Sequence, residues 1–79
     1  MKTTLYTTLG CHLCEQALSQ LYELQREGLS VDIHETEIAD SEVLLEKYSL
    51  RIPVVAAGAK EIGWPFTLPE LRAFLLAQD

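Results

Sequence analysis

Both cysteines of this 79-residue chain fall in one stretch, Cys11-His12-Leu13-Cys14. Ahead of them Leu5-Tyr6-Thr7-Thr8-Leu9-Gly10 is a short β-prone run ending in glycine, and behind them a helical pattern begins. A pair of thiols at the junction of a strand and a helix N-terminus has few uses, and thiol–disulfide exchange is the foremost. The junction also limits the fold, since strand followed directly by helix opens a β-α-β unit.

The remainder of the chain completes that unit and adds to it. Thr3 to Thr8 reads as a first, central strand. From Cys14 to about Glu27, the residues Ala17, Leu18, Leu21, Tyr22 and Leu24 recur at helical spacing, and Gly28 supplies a stop. Val31 to Ile38 alternates, with Val31, Ile33, Glu35 and Glu37 on one face, as in a second strand parallel to the first. Asp40 or Ser41 caps a short helix reaching about Tyr48, with Val43, Leu44 and Tyr48 predicted to turn inward. Ile52 to Ala57 is a third strand opening at Pro53, and Gly58-Ala59 turns it into a brief fourth strand, Lys60 to Ile62. Gly63-Trp64-Pro65-Phe66 is irregular, after which Thr67 and Glu70 form a capping box for a last helix striped by Leu68, Leu71, Phe74 and Leu75. The prediction is an α/β domain spanning residues 1–79, of order β-α-β-α-β-β-α, its four-stranded mixed sheet covered by helices on both faces.

Composition narrows the function. A content of 48% hydrophobic and 23% charged residues is that of a folded globular domain rather than a disordered one. The net charge of −6 argues against nucleic acid or an anionic membrane as partner, since both are bound through lysine and arginine. No apolar run reaches membrane-span length and no signal-peptide pattern precedes the first strand, so the expected location is the cytoplasm. In that compartment a static disulfide is rare, and paired cysteines mean redox chemistry or metal.

The two thiols are not equivalent. Cys11 lies at the helix start, where unpaired N–H groups and the helix dipole favour a thiolate. An ordinary thiol of pKa ~8.5 is only about 3% ionised at pH 7, whereas one lowered to ~6.5 is about 75% ionised. Cys14, a turn deeper, is expected to be more buried. Cys11 is therefore the predicted nucleophile and Cys14 the resolving thiol. His12, when protonated, adds positive charge beside Cys11, while Glu15 opposes it. His34 reads as a surface strand residue. A complete zinc site within one chain lacks ligands, so no metal is expected there; two chains pooling their cysteines around a metal or iron–sulfur cluster is one alternative, and an interaction module with an idle cysteine pair is another.

The segments Leu5-Tyr6-Thr7-Thr8, Cys11-His12-Leu13-Cys14 and Ile52-Pro53-Val54 together resemble glutaredoxins and, more broadly, the thioredoxin superfamily. Tyr48-Ser49-Leu50-Arg51-Ile52-Pro53 is similar to the stretch before the cis-proline of thioredoxins, and the short bacterial glutaredoxin-like branch is the nearest resemblance. The resemblance implies a thioredoxin-like fold, a thiol–disulfide oxidoreductase role in cell redox homeostasis, and Pro53 in the cis form beside the cysteines. It also implies a substrate-binding surface to which His12, Leu13, Arg51, Ile52 and Pro53 contribute, with Ile52 offering its backbone and Arg51 meeting a carboxylate. Where glutaredoxins carry a glycine pair and an aspartate for glutathione, this chain has Gly63-Trp64-Pro65-Phe66-Thr67, and its cysteines enclose His-Leu rather than Pro-Tyr. Glutathione binding is disfavoured on those grounds, and glutathione is kept only as a candidate reductant; no bound cofactor is expected. The expected partners are a protein or small disulfide substrate and a thiol reductant system, acting on a monomer.

Overall fold

The computed structural model describes residues 1–78. Its elements are β1 (Lys2–Thr7), α1 (His12–Arg26), β2 (Asp32–Glu37), a 3-10 turn (Ile38–Asp40), α2 (Glu42–Tyr48), β3 (Val54–Ala57), β4 (Lys60–Gly63) and α3 (Leu68–Leu76). The strands lie in the order β2-β1-β3-β4. β1 is parallel to β2 and antiparallel to β3, and β3 is antiparallel to β4, which makes the sheet mixed.

β1 is central because it is paired on both sides, and its alternation divides the core. Leu5, with Val55 and Ala57 of β3, faces α1 and α3 and packs with Ala17, Leu21, Leu24, Phe66, Leu71 and Leu75. On the other face Tyr6 packs with Ile38, Leu44, Tyr48, Ile52 and Val54 under α2. Helices therefore cover both faces of the sheet, as the pattern predicted.

The helix boundaries follow from their caps. Cys11 is the N-cap of α1, in extended backbone conformation, so the helix begins at His12 and Cys11 lies at its start, as expected. At its far end Leu29 donates to the Leu24 carbonyl and Gly28 to the Gln25 carbonyl, each at 3.0 Å, with Gly28 at φ +102°. This is the Schellman pattern, which needs a residue at ease with positive φ. Ser41 caps α2 through its hydroxyl, and Thr67 with Glu70 forms the complete capping box of α3.

Three local expectations are corrected. The third strand starts at Val54, because the Ile52 N–H turns back to the Tyr48 carbonyl at 3.1 Å and Pro53 has no N–H to give. Val43 is 72% exposed: α2 turns Leu44, partly buried, and Tyr48, buried, inward four residues apart on one stripe, which leaves Val43 outside. Tyr22 is 44% exposed, since Leu21 and Leu24 fill the buried stripe of α1.

These burials give opposite expectations for two aliphatic truncations. Leu21→Ala, at a side chain with no exposed surface, should lower unfolding free energy by about 2–5 kcal/mol through lost burial and a cavity. Val43→Ala should stay within about 0.5 kcal/mol of the parent. Urea unfolding of the two variants checks both.

Candidate active site

The site forms where β1 runs out. The register sets Thr7 beside Glu37 of β2 and Tyr6 beside Val54 of β3. The cysteine loop, the end of β2 and the segment entering β3 are thereby gathered at one end of the sheet. Because β4 pairs Gly63 with Val54, the Trp64–Phe66 turn joins them there, and the Trp64 N–H donates to the Pro53 carbonyl at 3.0 Å. The Ile52–Pro53 and Trp64–Pro65 peptide bonds are both cis.

Residues 8–11 make a tight turn. The Cys11 N–H reaches the Thr8 carbonyl at 3.3 Å, and Gly10 has φ +81°, a conformation costly for residues bearing a Cβ. A carboxylate fixes this turn from the neighbouring strand. Glu37 accepts the Leu9 N–H through Oε1 at 2.9 Å and the Ala39 N–H through Oε2 at 3.0 Å. The Ala39 N–H above all, with the Thr8 hydroxyl and the Leu9 N–H behind it, holds the Glu37 carboxyl below the usual carboxylate range.

Cys11 and Cys14 are bonded to each other, with Cα atoms 5.2 Å apart. Their surroundings differ. Cys11 is half-exposed and its Sγ accepts the Cys14 N–H at 3.2 Å, taking the place of an N-cap oxygen. Cys14 is 2% exposed, beneath the first turn of α1. One sulfur thus stands at the opening and the other lies behind it.

Of the other predicted site residues, His12 and Leu13 project outward from the first turn of α1. His12 lies in solvent with Nδ1 3.3 Å from the Glu15 carboxylate, and Leu13 is 44% exposed. Pro53 is buried and Ile52 half-buried against the α2 layer. Arg51 is directed elsewhere: its guanidinium binds Glu61 of β4 and lies over the Tyr48 ring. Tyr48 is 3% exposed, stacks on Tyr6 with ring centroids 4.2 Å apart, and donates its hydroxyl to Glu61 Oε2 at 2.9 Å. This cluster ties the loop before Pro53 to β4.

Sequence reasoning did not bring Glu35 and Glu37 into the site. They line a cavity of about 370 Å3 together with Cys11, Cys14, Glu15 and Leu18. The signal was present in the alternation that put Glu35 and Glu37 on the face of Ile33. Parallel pairing of β2 with β1 then carries that face to the cysteine loop. Among the described residues, no three His, Cys, Asp or Glu side chains converge to hold a metal ion, and no helix is long and apolar enough to cross a membrane.

Comparison with known proteins agrees with this geometry. The family model of the glutaredoxin-like domain (DUF836) matches residues 2–76, and the chain belongs to that family. The fold is thioredoxin-like. The crystal structure of protein XcR50 from X. campestris, a structural genomics target, superposes with a TM-score of 0.86 at 36% identity, covering 98% of this chain and 99% of that one. The solution structure of XcR50 gives 0.77 at 36% identity over 100% and 97% of the two chains. A structure described as that of a malarial protein shares the fold at 14% identity, with a TM-score of 0.67 over 98% and 94%. No curated protein matches the sequence.

The Tyr48 contacts yield a pH expectation. Burial first, and the Glu61 hydrogen bond next, push the Tyr48 phenol well above its ordinary value. The folded state therefore holds this proton more tightly than the unfolded chain, in which tyrosine titrates near pH ~10. The contribution is complete below about pH 10 and is lost as pH climbs from there towards the folded-state value. Urea midpoints should hold level up to about pH 9.5 and fall above it. Tyr48→Phe should cost about 1 kcal/mol at neutral pH and make the alkaline fall shallower.

Proposed function

We propose that the protein is a dithiol thiol–disulfide oxidoreductase of the cytosol, with Cys11 as nucleophile and Cys14 as resolving thiol. The observation that carries this reading is the asymmetry of the pair. Cys11 Sγ is half-exposed at the helix N-cap and accepts the Cys14 N–H, whereas Cys14 is buried. An N–H aimed at the sulfur, together with the positive end of the α1 dipole, stabilises a thiolate on Cys11 more than a thiol. Burial without such a donor keeps Cys14 protonated until it is needed.

The reaction proceeds in two exchanges. The Cys11 thiolate attacks one sulfur of a substrate disulfide; the substrate S–S bond breaks, and the other sulfur departs as a thiolate that takes a proton from solvent. Cys14 then gives up its proton and attacks Cys11 Sγ. The mixed disulfide breaks, the second substrate thiol is released, and the Cys11–Cys14 disulfide remains. Two electrons pass from the protein to the substrate, and an external thiol reductant restores the dithiol.

The segment before β3 supports substrate binding next to this pair. The register of β1 and β3 brings Ile52 and Pro53 to the end of the sheet that carries the cysteines. Pro53 has no N–H, and the Ile52 N–H is taken by the Tyr48 carbonyl, so backbone pairing with a substrate at Ile52 falls to its carbonyl. Arg51 acts by positioning this loop through Glu61, a different role from meeting a substrate carboxylate. Leu13 and His12 form the outer rim.

Alkylation and trapping test the assignment. Iodoacetamide labelling of Cys11 in the Cys14→Ser variant, followed against pH, should show a midpoint well below the free-thiol value of about 8.5. That variant should accumulate a mixed disulfide with substrate, while Cys11→Ser should form none. A labelling midpoint near ~8.5, combined with insulin reduction no faster than by a free dithiol, would overturn the proposal.

A further inference from the structure

The cavity into which the cysteines open has a consistent charge. Its α1 wall carries Glu15 and Leu18, its β2 wall carries Glu35 and Glu37, and no lysine or arginine lines it. Glu37 is fixed at the strand end by two backbone donors. Glu15 meets only His12, and Glu35 is exposed. Solvated leucines adjoin the cysteines: Leu9, which lines the cavity, is 93% exposed, and Leu13, between the cysteines in sequence, is 44% exposed. Such side chains gain by being covered, at about 25 cal/mol for each Å2 removed from water.

We infer that this groove is a substrate subsite for a cationic polypeptide segment, one carrying lysine or arginine close to the disulfide that Cys11 attacks. Its basic side chains lie against Glu15, Glu35 and Glu37, and its apolar residues cover Leu9 and Leu13. The inference deepens the oxidoreductase reading and rests on it. Charge complementarity selects the occupant: in a cleft with carboxylates on two walls, a cation is concentrated and an anion repelled, most strongly at low ionic strength. An anionic disulfide, such as that of glutathione, pays this repulsion at the point of attack.

The test uses the Cys14→Ser protein and three peptides, each with one cysteine activated as a mixed disulfide with thionitrobenzoate, flanked by lysine, serine or glutamate. The Cys11 thiolate attacks the peptide sulfur, that S–S bond breaks, thionitrobenzoate leaves with the electron pair and is read by absorbance, and a Cys11–peptide disulfide remains. Any accessible thiol attacks so activated a disulfide, so the charge preference is measured whether or not the protein turns over natural disulfides. Second-order rate constants should favour the lysine peptide over the glutamate peptide by about tenfold in ~20 mM salt and by no more than about twofold in ~0.5 M salt. Glu35→Gln should cut the low-salt ratio by about threefold, while Glu46→Gln on α2, which changes the net charge equally, should leave it within about 1.5-fold.

A low-salt ratio within twofold overturns the inference, as does an equal response to Glu35→Gln and Glu46→Gln, which would trace the preference to the charge of the whole chain. Failure of the oxidoreductase reading looks different: the charge preference persists, but insulin is reduced no faster than by a free dithiol. In that case the groove remains a cation-selective surface around a reactive thiol.

Discussion

The double pairing of β1 is the constraint on which everything else depends. Six residues, with β2 on one side and β3 on the other, fix where each neighbouring chain segment ends. A parallel neighbour brings its C-terminal end to the C-terminal end of β1, and an antiparallel neighbour brings its N-terminal end there. The cysteine turn, Glu37 and the Ile52–Pro53 segment are remote in sequence but adjacent in space for this reason alone. Leu5, fully buried at the middle of the strand, anchors the same register that assembles the site. A slip of one residue would put Leu5 on the α2 face and Tyr6 on the face of α1 and α3, exchanging the two cores, so core packing and site assembly stand or fall together.

Much of this was legible because it is written in local chemistry. Thr67 followed by Glu70, Gly28 after a helical stripe, and Gly58-Ala59 between two short strands each specify a backbone conformation, and each is found as read. The cysteine pair was legible for a related reason: its spacing places both sulfurs within one helical turn. What was not legible depends on tertiary partners. The phase of α2 could not be told from Val43-Leu44-Leu45, all apolar; the Ser41 cap and the seat of Tyr48 on Tyr6 decide it. The extra 3-10 turn at Ile38–Asp40 exists because the Glu37 side chain bonds the Ala39 N–H, a contact no periodicity announces. Arg51 read as a substrate ligand because resemblance aligned its position, but the resemblance had no knowledge of Glu61 across the sheet.

The Tyr48–Glu61–Arg51 cluster shows how a small domain stiffens a loop it cannot bury. Ser49, Leu50 and Arg51 are exposed, and Leu50 is almost wholly so, which gives the segment before Pro53 little apolar packing of its own. Its anchors are polar and aromatic: the Tyr48 ring between Tyr6 and Arg51, and the Glu61 carboxylate receiving both the phenol and the guanidinium. The Arg51 hydrogen bond, ahead of the Tyr48 one, holds Glu61 below the ordinary carboxylate range, so the acceptor keeps its charge while being partly withdrawn from water. Charge-assisted bonds of this kind are stronger than neutral ones, and here they are spent on a single short turn.

A final tension lies within the site itself. Glu15, Glu35 and Glu37 line the cavity that also holds the sulfur proposed to ionise, and like charge nearby raises a thiol pKa. The helix N-terminus acts in the opposite direction, and it acts through contact: the Cys14 N–H lies 3.2 Å from Cys11 Sγ. The carboxylates act across solvent, where interactions weaken with distance and salt. A directed donor can therefore hold the thiolate while the acidic walls still set the field that an approaching partner meets. On the proposed reading the cost falls on anionic disulfides, and a cationic segment entering the groove would neutralise the walls and favour the Cys11 thiolate as it arrives. Binding and activation of the proposed nucleophile would then draw on the same charges, which would give the acidic residues a physical use beside a group they would otherwise only hinder.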